Sequence, residues 1–269
     1  MQSYHCRHCR KVQSFIQHTR SVYCENAHCQ RAKVQQYLED NKKRLTAQLI
    51  SECEQYIQDS NVQILPFSLD KALENTSPTM ALLPANKKPL TELNEQRKEA
   101  FLQHLSAIYQ DVQQNNSTAN RVYSKDLHPP LAKDEAQLLG NACATCMGSC
   151  CTHGKTHAFI DYPSLKHMLD AQPNEMSEQT LIDLYADYFP IKSYQEACVF
   201  QGSQGCVLPR EMRSFTCNNY LCTELSSYRK SIKKAGSTLT FAAAVEKDKI
   251  MFTSIYSDQH FIRVKEKEA

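Results

Sequence analysis

The spacing of hydrophobic residues predicts mainly helical structure. Between residues 34 and 57, apolar side chains recur at intervals of four or seven on a polar background, which predicts one long amphipathic helix to about residue 58. A second helix is predicted from about 91 to 112, and shorter helices follow in the second half. Near the C-terminus, apolar runs over 239–245 and 250–256 predict a β-hairpin. The expected fold class is therefore mainly α with small β elements.

Prolines mark the expected boundary between two unequal parts. Four prolines between residues 62 and 90 prevent a long regular element there. We therefore expect a zinc-ribbon-like segment with its amphipathic helix over residues 1–60, a proline-containing linker over 61–90, and a helical cysteine-cluster domain over 91–269. The length of 269 residues is compatible with one or two domains.

Four cysteines near the N-terminus form two close pairs, Cys6-x2-Cys9 and Cys24-x4-Cys29, with 14 residues between the pairs. This is the ligand arrangement of a zinc ribbon, because each pair can place two sulfurs about 2.3 Å from one ion. A segment too small for its own core gains its folding energy from the metal. Structural zinc is therefore predicted. The neighbouring histidines are interpreted as surface residues: His5, His8 and His28.

The same segment is the most basic part of the chain. Residues 1–44 carry nine Lys or Arg against three acidic residues, a net charge of +6, whereas the whole chain has +2. Such a ribbon is a candidate for binding nucleic acid, although a basic helix is more often only a solvated face. Docking of a protein partner is the preferred alternative.

Eight further cysteines lie within 80 residues of the second half, far more than core packing needs. Five of the six glycines stand among or beside them, which suits a chain that turns sharply to aim several sulfurs at one point. Adjacent cysteines normally point in different directions, so Cys150 and Cys151 are expected to serve two metals or to bridge a metal pair. The eight predicted ligands are Cys143, Cys146, Cys150, Cys151, Cys198, Cys206, Cys217 and Cys222.

The segments around these cysteines form a recognisable set of motifs. They read Cys143-Ala-Thr-Cys146-Met-Gly-Ser-Cys150-Cys151, then Ala197-Cys198-Val-Phe with Gly205-Cys206-Val-Leu-Pro-Arg210, then Arg213-Ser-Phe-Thr-Cys217-Asn-Asn-Tyr-Leu-Cys222. Over roughly residues 140–225 the chain resembles the CxxCxxCC family of zinc- or iron-chelating proteins, the YkgJ-like cysteine cluster. The resemblance implies metal binding by all eight cysteines. This chain has one residue more before the paired cysteines than the family's name.

The metal of the second cluster stays open, because thiolates suit zinc, iron and iron-sulfur clusters. Four thiolates on one divalent ion leave a charge of −2, which nearby cations must offset. Lys155, Arg210 and Arg213 are predicted to do so. His153 and His157 are further candidate ligands.

A metal-binding protein, zinc or iron chelating, is the preferred interpretation. One alternative is an iron-sulfur or metal-dependent enzyme acting on a peptide or small molecule, and another is a metal-responsive nucleic-acid-binding regulator. The isolated carboxylates Asp161, Glu196 and Glu211 are interpreted as surface or helix-capping groups. No catalytic residue is therefore assigned, and whether the chain is an enzyme stays open.

Several other classes of protein are disfavoured by the sequence. The glycines lack the spacing of a dinucleotide-binding or Walker loop. No apolar run approaches the roughly 20 residues that cross a bilayer, and no apolar signal-peptide segment opens the chain. Thirteen cysteines, an odd number, disfavour a fully paired disulfide framework. The expected location is cytoplasmic, with metal ions as partners and no membrane.

Overall fold

The computed structural model describes residues 3–59, 77–114, 131–235 and 239–265. The chain divides into two compact units, residues 1–51 and 52–269. The described helices are α1 (Phe15–Arg20), α2 (Ala27–Asp59), α3 (Glu95–Gln113), α4 (Lys133–Cys146), α5 (Tyr162–Asp170), α6 (Glu178–Ala186), α7 (Phe215–Asn219) and α8 (Thr223–Ala235). The described strands are β1 (Tyr4–His5), β2 (Val12–Gln13), β3 (Thr79–Pro84), β4 (Leu90–Glu92), β5 (Lys192–Tyr194), β6 (Gln201–Gly202), β7 (Gly205–Cys206), β8 (Thr240–Glu246), β9 (Lys249–Tyr256) and β10 (Phe261–Lys265). The expectation of mainly helical structure with small sheets is confirmed.

The first unit begins with a small antiparallel hairpin of β1 and β2, in which Tyr4 pairs with Gln13. Ser14 then starts α1 with a capping box, because its side chain accepts from the Gln17 N–H and the Gln17 side chain accepts from the Ser14 N–H. The long helix α2 follows and ends at Asp59, as the apolar spacing predicts. Its Cys53 is buried and packs as a small hydrophobic residue.

A four-stranded sheet in the order β10-β9-β8-β3 organises the second unit. The predicted C-terminal hairpin is confirmed as β8 and β9, which pair antiparallel. Strand β3 pairs in parallel with β8, Thr79 opposite Thr240. Residues 61–76 of the predicted linker lie outside the described residues, and within the same predicted segment Thr79–Pro84 forms β3. A proline is tolerated there because β3 is an edge strand.

Helices α4 and α8 bury their apolar faces against this sheet. Leu138 and Ala142 of α4 and Tyr228 and Ile232 of α8 share one buried cluster with Tyr256 of β9. The stretch of alanines in β8 is fully buried, which lets the layers approach closely.

A second buried cluster joins α3, α5 and α6. Phe101 and Leu105 of α3 are fully buried, as predicted from their spacing, and the Phe101 ring lies 4.7 Å from that of Phe200, edge to face. Side-chain caps start these helices: Asn94 begins α3 and Asp161 begins α5. In the part of the chain that the structure describes, no helix combines the length and apolar character required to cross a bilayer.

Candidate metal centres

The first cysteine pair lies in the turn between β1 and β2. The Arg10 N–H donates to the Cys6 carbonyl at 3.0 Å, and the Cys6 N–H donates to the Lys11 carbonyl at 2.9 Å. Arg10 adopts a positive φ of 61°, which closes the turn immediately after Cys9. The result is a tight knuckle that presents the sulfurs of Cys6 and Cys9 from one short loop.

The second pair lies where α2 begins. Cys29 occupies the first turn of α2, and Cys24 lies in the preceding loop. Gln30 ties the two together, because its side-chain amide donates to the Cys24 carbonyl at 2.7 Å. The Cys24 N–H donates to the Cys6 sulfur at 3.3 Å, so the two pairs are linked directly.

The four sulfurs meet the spacing of a metal site. The sulfur atoms of Cys6, Cys9, Cys24 and Cys29 all lie within 4.8 Å of one another. The sulfurs of Cys9 and Cys24 are 3.7 Å apart. A tetrahedral ion with bonds of about 2.3 Å needs sulfur-sulfur edges of about 3.8 Å. The arrangement therefore fits one tetrahedral ion with little movement.

The pKa values of these thiols show how the cluster could accommodate a cation. Burial raises the pKa of the Cys6 thiol, but N–H donors from Cys24, Cys9 and His8 outweigh it and lower that pKa to about 6. Burial and the adjacent sulfurs of Cys24, Cys9 and Cys6 raise the pKa of Cys29 to about 12. One thiolate is thus favoured while another is suppressed, and a bound cation would relieve the repulsion among four thiolates.

The eight cysteines of the second half come from many elements. Cys143 and Cys146 occupy the last turn of α4. The other six lie in short or irregular segments: Cys150 and Cys151 open a 3-10 helix, Cys198 follows β5, Cys206 ends β7, Cys217 lies in α7, and Cys222 precedes α8.

A sharp reversal after α4 separates the first two of these cysteines from the next two. Met147 and Gly148 both have positive φ, 54° and 68°. A Cβ on Gly148 would overlap the side-chain amide of Gln201, which donates to the Met147 carbonyl. Only glycine fits at this turn.

The pKa shifts of the thiols show which cysteines are neighbours. Burial and then Cys146, Cys150 and Cys222 raise the pKa of Cys143. These four cysteines therefore form one set, which we call set A.

The remaining four cysteines form set B: Cys151, Cys198, Cys206 and Cys217. Burial raises the pKa of Cys198 to about 12, and Cys206 and Cys217 add to the shift. A hydrogen bond to Cys150 and burial raise the pKa of Cys151, with Cys198 and Cys206 contributing as well. We assign the adjacent Cys150 and Cys151 to different sets, and Cys150 links the two sets because it also raises the pKa values of Cys151 and Cys217.

Packing divides six of these eight cysteines in the same way. Cys146 is buried in the cluster of α4, α8 and the sheet, with Cys143 and Cys222 packed against it. Cys198 is buried in the cluster of α3, α5 and α6, with Cys151 and Cys206 packed against it. Within residues 131–235, however, no three ligand atoms approach one another within 4.8 Å, unlike the N-terminal site.

Two arginines supply positive charge to the second half. Burial raises the pKa values of Cys206 and Cys217, and the charge of Arg213 offsets part of that rise; the Arg213 Nε donates to the Leu208 carbonyl at 2.7 Å. Arg97 of α3 donates to the Ala197 carbonyl at 2.7 Å and interacts electrostatically with Cys198. The role predicted for Arg213 is thus supported by its position.

Arg97 escaped the sequence analysis. Its position in the sequence could have identified it. Arg97 lies four residues before Phe101 on the apolar face of α3, where a charged side chain needs a buried partner. The other two residues predicted to offset the thiolate charge are placed differently. Arg210 is exposed, and Lys155 helps to lower the pKa values of His157 and Glu196.

The histidines and carboxylates near the cysteines have other partners. The His157 ring nitrogen Nδ1 accepts from the Phe159 N–H at 3.0 Å, and the rings of His8 and His28 lie 4.7 Å apart. Asp161 caps α5, and Glu196 pairs with Lys88 at 2.6 Å. These carboxylates have the capping and surface roles expected for them.

No protein-family model, curated protein or solved structure matches the chain. The assignment of function therefore depends on the residues and their geometry.

Proposed function

We propose that this chain is a metal-binding protein whose N-terminal zinc ribbon holds one structural zinc ion. The single observation that carries the proposal is the gathering of four sulfurs, from Cys6, Cys9, Cys24 and Cys29, within 4.8 Å of one another. Zinc is favoured because four thiolates in a tetrahedron are its common structural ligand set.

The second half is proposed to bind metal as well, with one ion in set A and one in set B. Three arguments support this: the mutual effect of the thiols on their pKa values, the packing of the two sets in separate clusters, and the resemblance to the YkgJ-like cysteine cluster. Binding would draw the sulfurs of each set closer together. Zinc and iron both suit such ligands.

Metal analysis and an absorption spectrum of anaerobically purified protein test the proposal. We expect about three metal ions per chain, one for each four-thiolate site. Colourless protein indicates zinc throughout, whereas brown protein absorbing at about 400 nm indicates an iron-sulfur cluster in the second half.

Cysteine variants assign the ions to their sites. Cys24→Ser should lose one ion, and Cys143→Ser should lose metal from set A while the N-terminal ion remains. Cys53→Ala is the matched control, because Cys53 is buried but belongs neither to the N-terminal site nor to set A or set B. Metal-free wild-type protein, or the loss of every ion from one substitution, would contradict the proposal.

A further inference from the structure

Exposed hydrophobic side chains are concentrated in the N-terminal unit. Among the described residues, eleven large hydrophobic side chains are exposed, and seven of them lie between Val12 and Leu38. Scattered exposed apolar residues are normal, but a concentration of them marks an interaction surface.

Four of the seven surround the β1–β2 hairpin and α1, and we call them the hairpin patch. Val12 is 72% exposed, Ile16 64%, Phe15 61% and Val22 41%. The patch is held in place by local structure. Phe15 and Ile16 are the first residues of the capped helix α1, Val12 is in β2, and the Val22 carbonyl accepts from the Arg7 N–H at 2.8 Å.

Cations without acidic partners accompany the patch. Arg7, Arg10, Lys11 and Arg20 are all exposed and lie within five residues of a patch residue in sequence. Within residues 3–59, none of these four forms an ion pair with a carboxylate. The surface therefore combines exposed apolar side chains with positive charge that is not neutralised locally.

We infer that the hairpin patch docks an acidic amphipathic helix of a partner protein. The apolar face of such a helix would cover Val12, Phe15 and Ile16. Its carboxylates would meet the arginines and the lysine, which provides electrostatic complementarity. This inference rests on the proposed function only because the metal is needed to hold the hairpin and α1 in shape.

Other occupants fit the surface less well. A second copy of the chain would bring the four cations of each patch together, at a cost in repulsion. Single-stranded nucleic acid binds by stacking bases on exposed aromatic rings, but three of the four patch residues are aliphatic. The ring of Phe15 is already engaged with that of Tyr4, at 5.5 Å between centroids.

Fluorescence anisotropy with defined probes tests the inference on the full-length, metal-loaded chain. The main probe is a labelled helical peptide with leucines at i, i+3, i+4 and i+7 and glutamates beside them. A matched peptide carries lysines in place of the glutamates. We expect the acidic peptide to bind at least about tenfold more tightly than the basic one, and to weaken as salt is raised.

Variants locate the binding surface. Ile16→Ser and, separately, Lys11→Glu should each weaken binding of the acidic peptide by about tenfold, because a buried apolar anchor or a complementary charge is lost. Ile191→Ser is the matched control, since Ile191 is 84% exposed in the second unit and should leave binding unchanged.

Several outcomes would overturn the inference. One is failure of the acidic peptide to bind, and another is that the Ile16→Ser protein binds it as tightly as the wild type does. The inference would also be overturned if the wild-type protein instead bound an oligo-dT strand or phosphatidylserine vesicles tightly, or if sedimentation showed that the chain dimerises through the patch. The metal content of the same samples shows whether the docking inference or the proposed function has failed. Full metal occupancy without peptide binding refutes only the docking site, whereas an empty four-cysteine site refutes the zinc ribbon.

Discussion

The two cysteine regions differ in what brings their sulfurs together. The N-terminal ligands lie within residues 6–29, and a hairpin turn and one helix start are enough to place all four within 4.8 Å. The second-half cysteines span residues 143–222, and six of the eight pack in or against two buried clusters. Local backbone geometry thus builds the first site, whereas tertiary packing positions the second.

The same comparison predicts opposite dependence on metal. Buried apolar packing around the N-terminal site consists of Cys6, Tyr23 and Cys29, two of which are ligands themselves. The second unit has large apolar clusters in which most members are side chains other than cysteine. The first region should therefore need its metal to fold, and the second should need its fold to hold metal.

Metal removal is the strongest way to break this comparison. After treatment with a chelator, we expect residues 3–30 to lose hydrogen-exchange protection, because structural zinc contributes on the order of 10 kcal/mol to such segments. Residues 131–265 should keep most of theirs. Hydrogen exchange read by mass spectrometry checks both regions in one experiment.

A substitution controls for indirect effects of the chelator. Cys24→Ser should reproduce the loss of protection over residues 3–30 without added chelator. Equal loss of protection in both units, in either experiment, would show that the second unit also depends on metal to fold.

The difference between local geometry and tertiary packing also explains how much of each region could be predicted from the sequence. The pairs Cys6/Cys9 and Cys24/Cys29 are close in sequence, so their spacing already indicates one shared ion. Strand β3 was missed because Pro78 precedes it and Pro84 ends it, and because its partner β8 lies about 160 residues away. Short-range patterns carry no information on such a long-range parallel pair.

The sequence also left the grouping of the second-half cysteines undecided. The prediction that Cys150 and Cys151 face different metals follows from adjacent residues pointing apart. The assignment of Cys222 to the same set as Cys143 depends on the packing of α8 beside α4, which no local pattern encodes. The contribution of Arg97 likewise requires the contact between α3 and the segment around Ala197.

Gly148 tests whether the fold positions the second-half sulfurs. Gly148→Ala should destabilise the protein by about 3 kcal/mol, because a left-handed φ is strained for alanine and its Cβ would collide with Gln201. Thermal or denaturant unfolding of the metal-free protein measures this effect.

Gly140→Ala is the matched control for that substitution. Gly140 lies inside α4, and a Cβ there meets nothing within 4 Å. It should stabilise the protein by about 0.5–1 kcal/mol through helix propensity. Similar effects of the two substitutions would mean that the turn after Cys146 is not constrained as described.

Arg97 tests whether the protein charge around set B matters for metal. Arg97→Met should weaken metal binding by set B about tenfold or more, since the cation near Cys198 and the hydrogen bond to the Ala197 carbonyl are both lost. Competition with a chromophoric chelator measures the affinity. Lys98→Met is the control, because Lys98 pairs with Glu95 at the surface, and unchanged affinity is expected for it.

The smallest expected effect concerns the ion pair that joins α4 to α8, the two helices that position set A. Glu135 accepts from the Arg229 Nε at 2.6 Å, with Lys233 at 3.2 Å, and this hydrogen bond from Arg229 lowers the pKa of the carboxyl group. Glu135→Gln should therefore cost about 1 kcal/mol of unfolding free energy at neutral pH.

The dependence of this cost on pH has a definite sign. Because the folded pKa of Glu135 lies below its unfolded value, its stabilisation is fully present above the unfolded pKa and is lost as the pH falls through the folded one. Wild-type and Glu135→Gln proteins should thus differ at neutral pH and converge in acid. Asp170→Asn, which removes an exposed pair with Lys166, should change stability by no more than a few tenths of a kcal/mol. A difference between wild type and Glu135→Gln that persisted in acid would mean that the side chain acts through packing rather than through its charge.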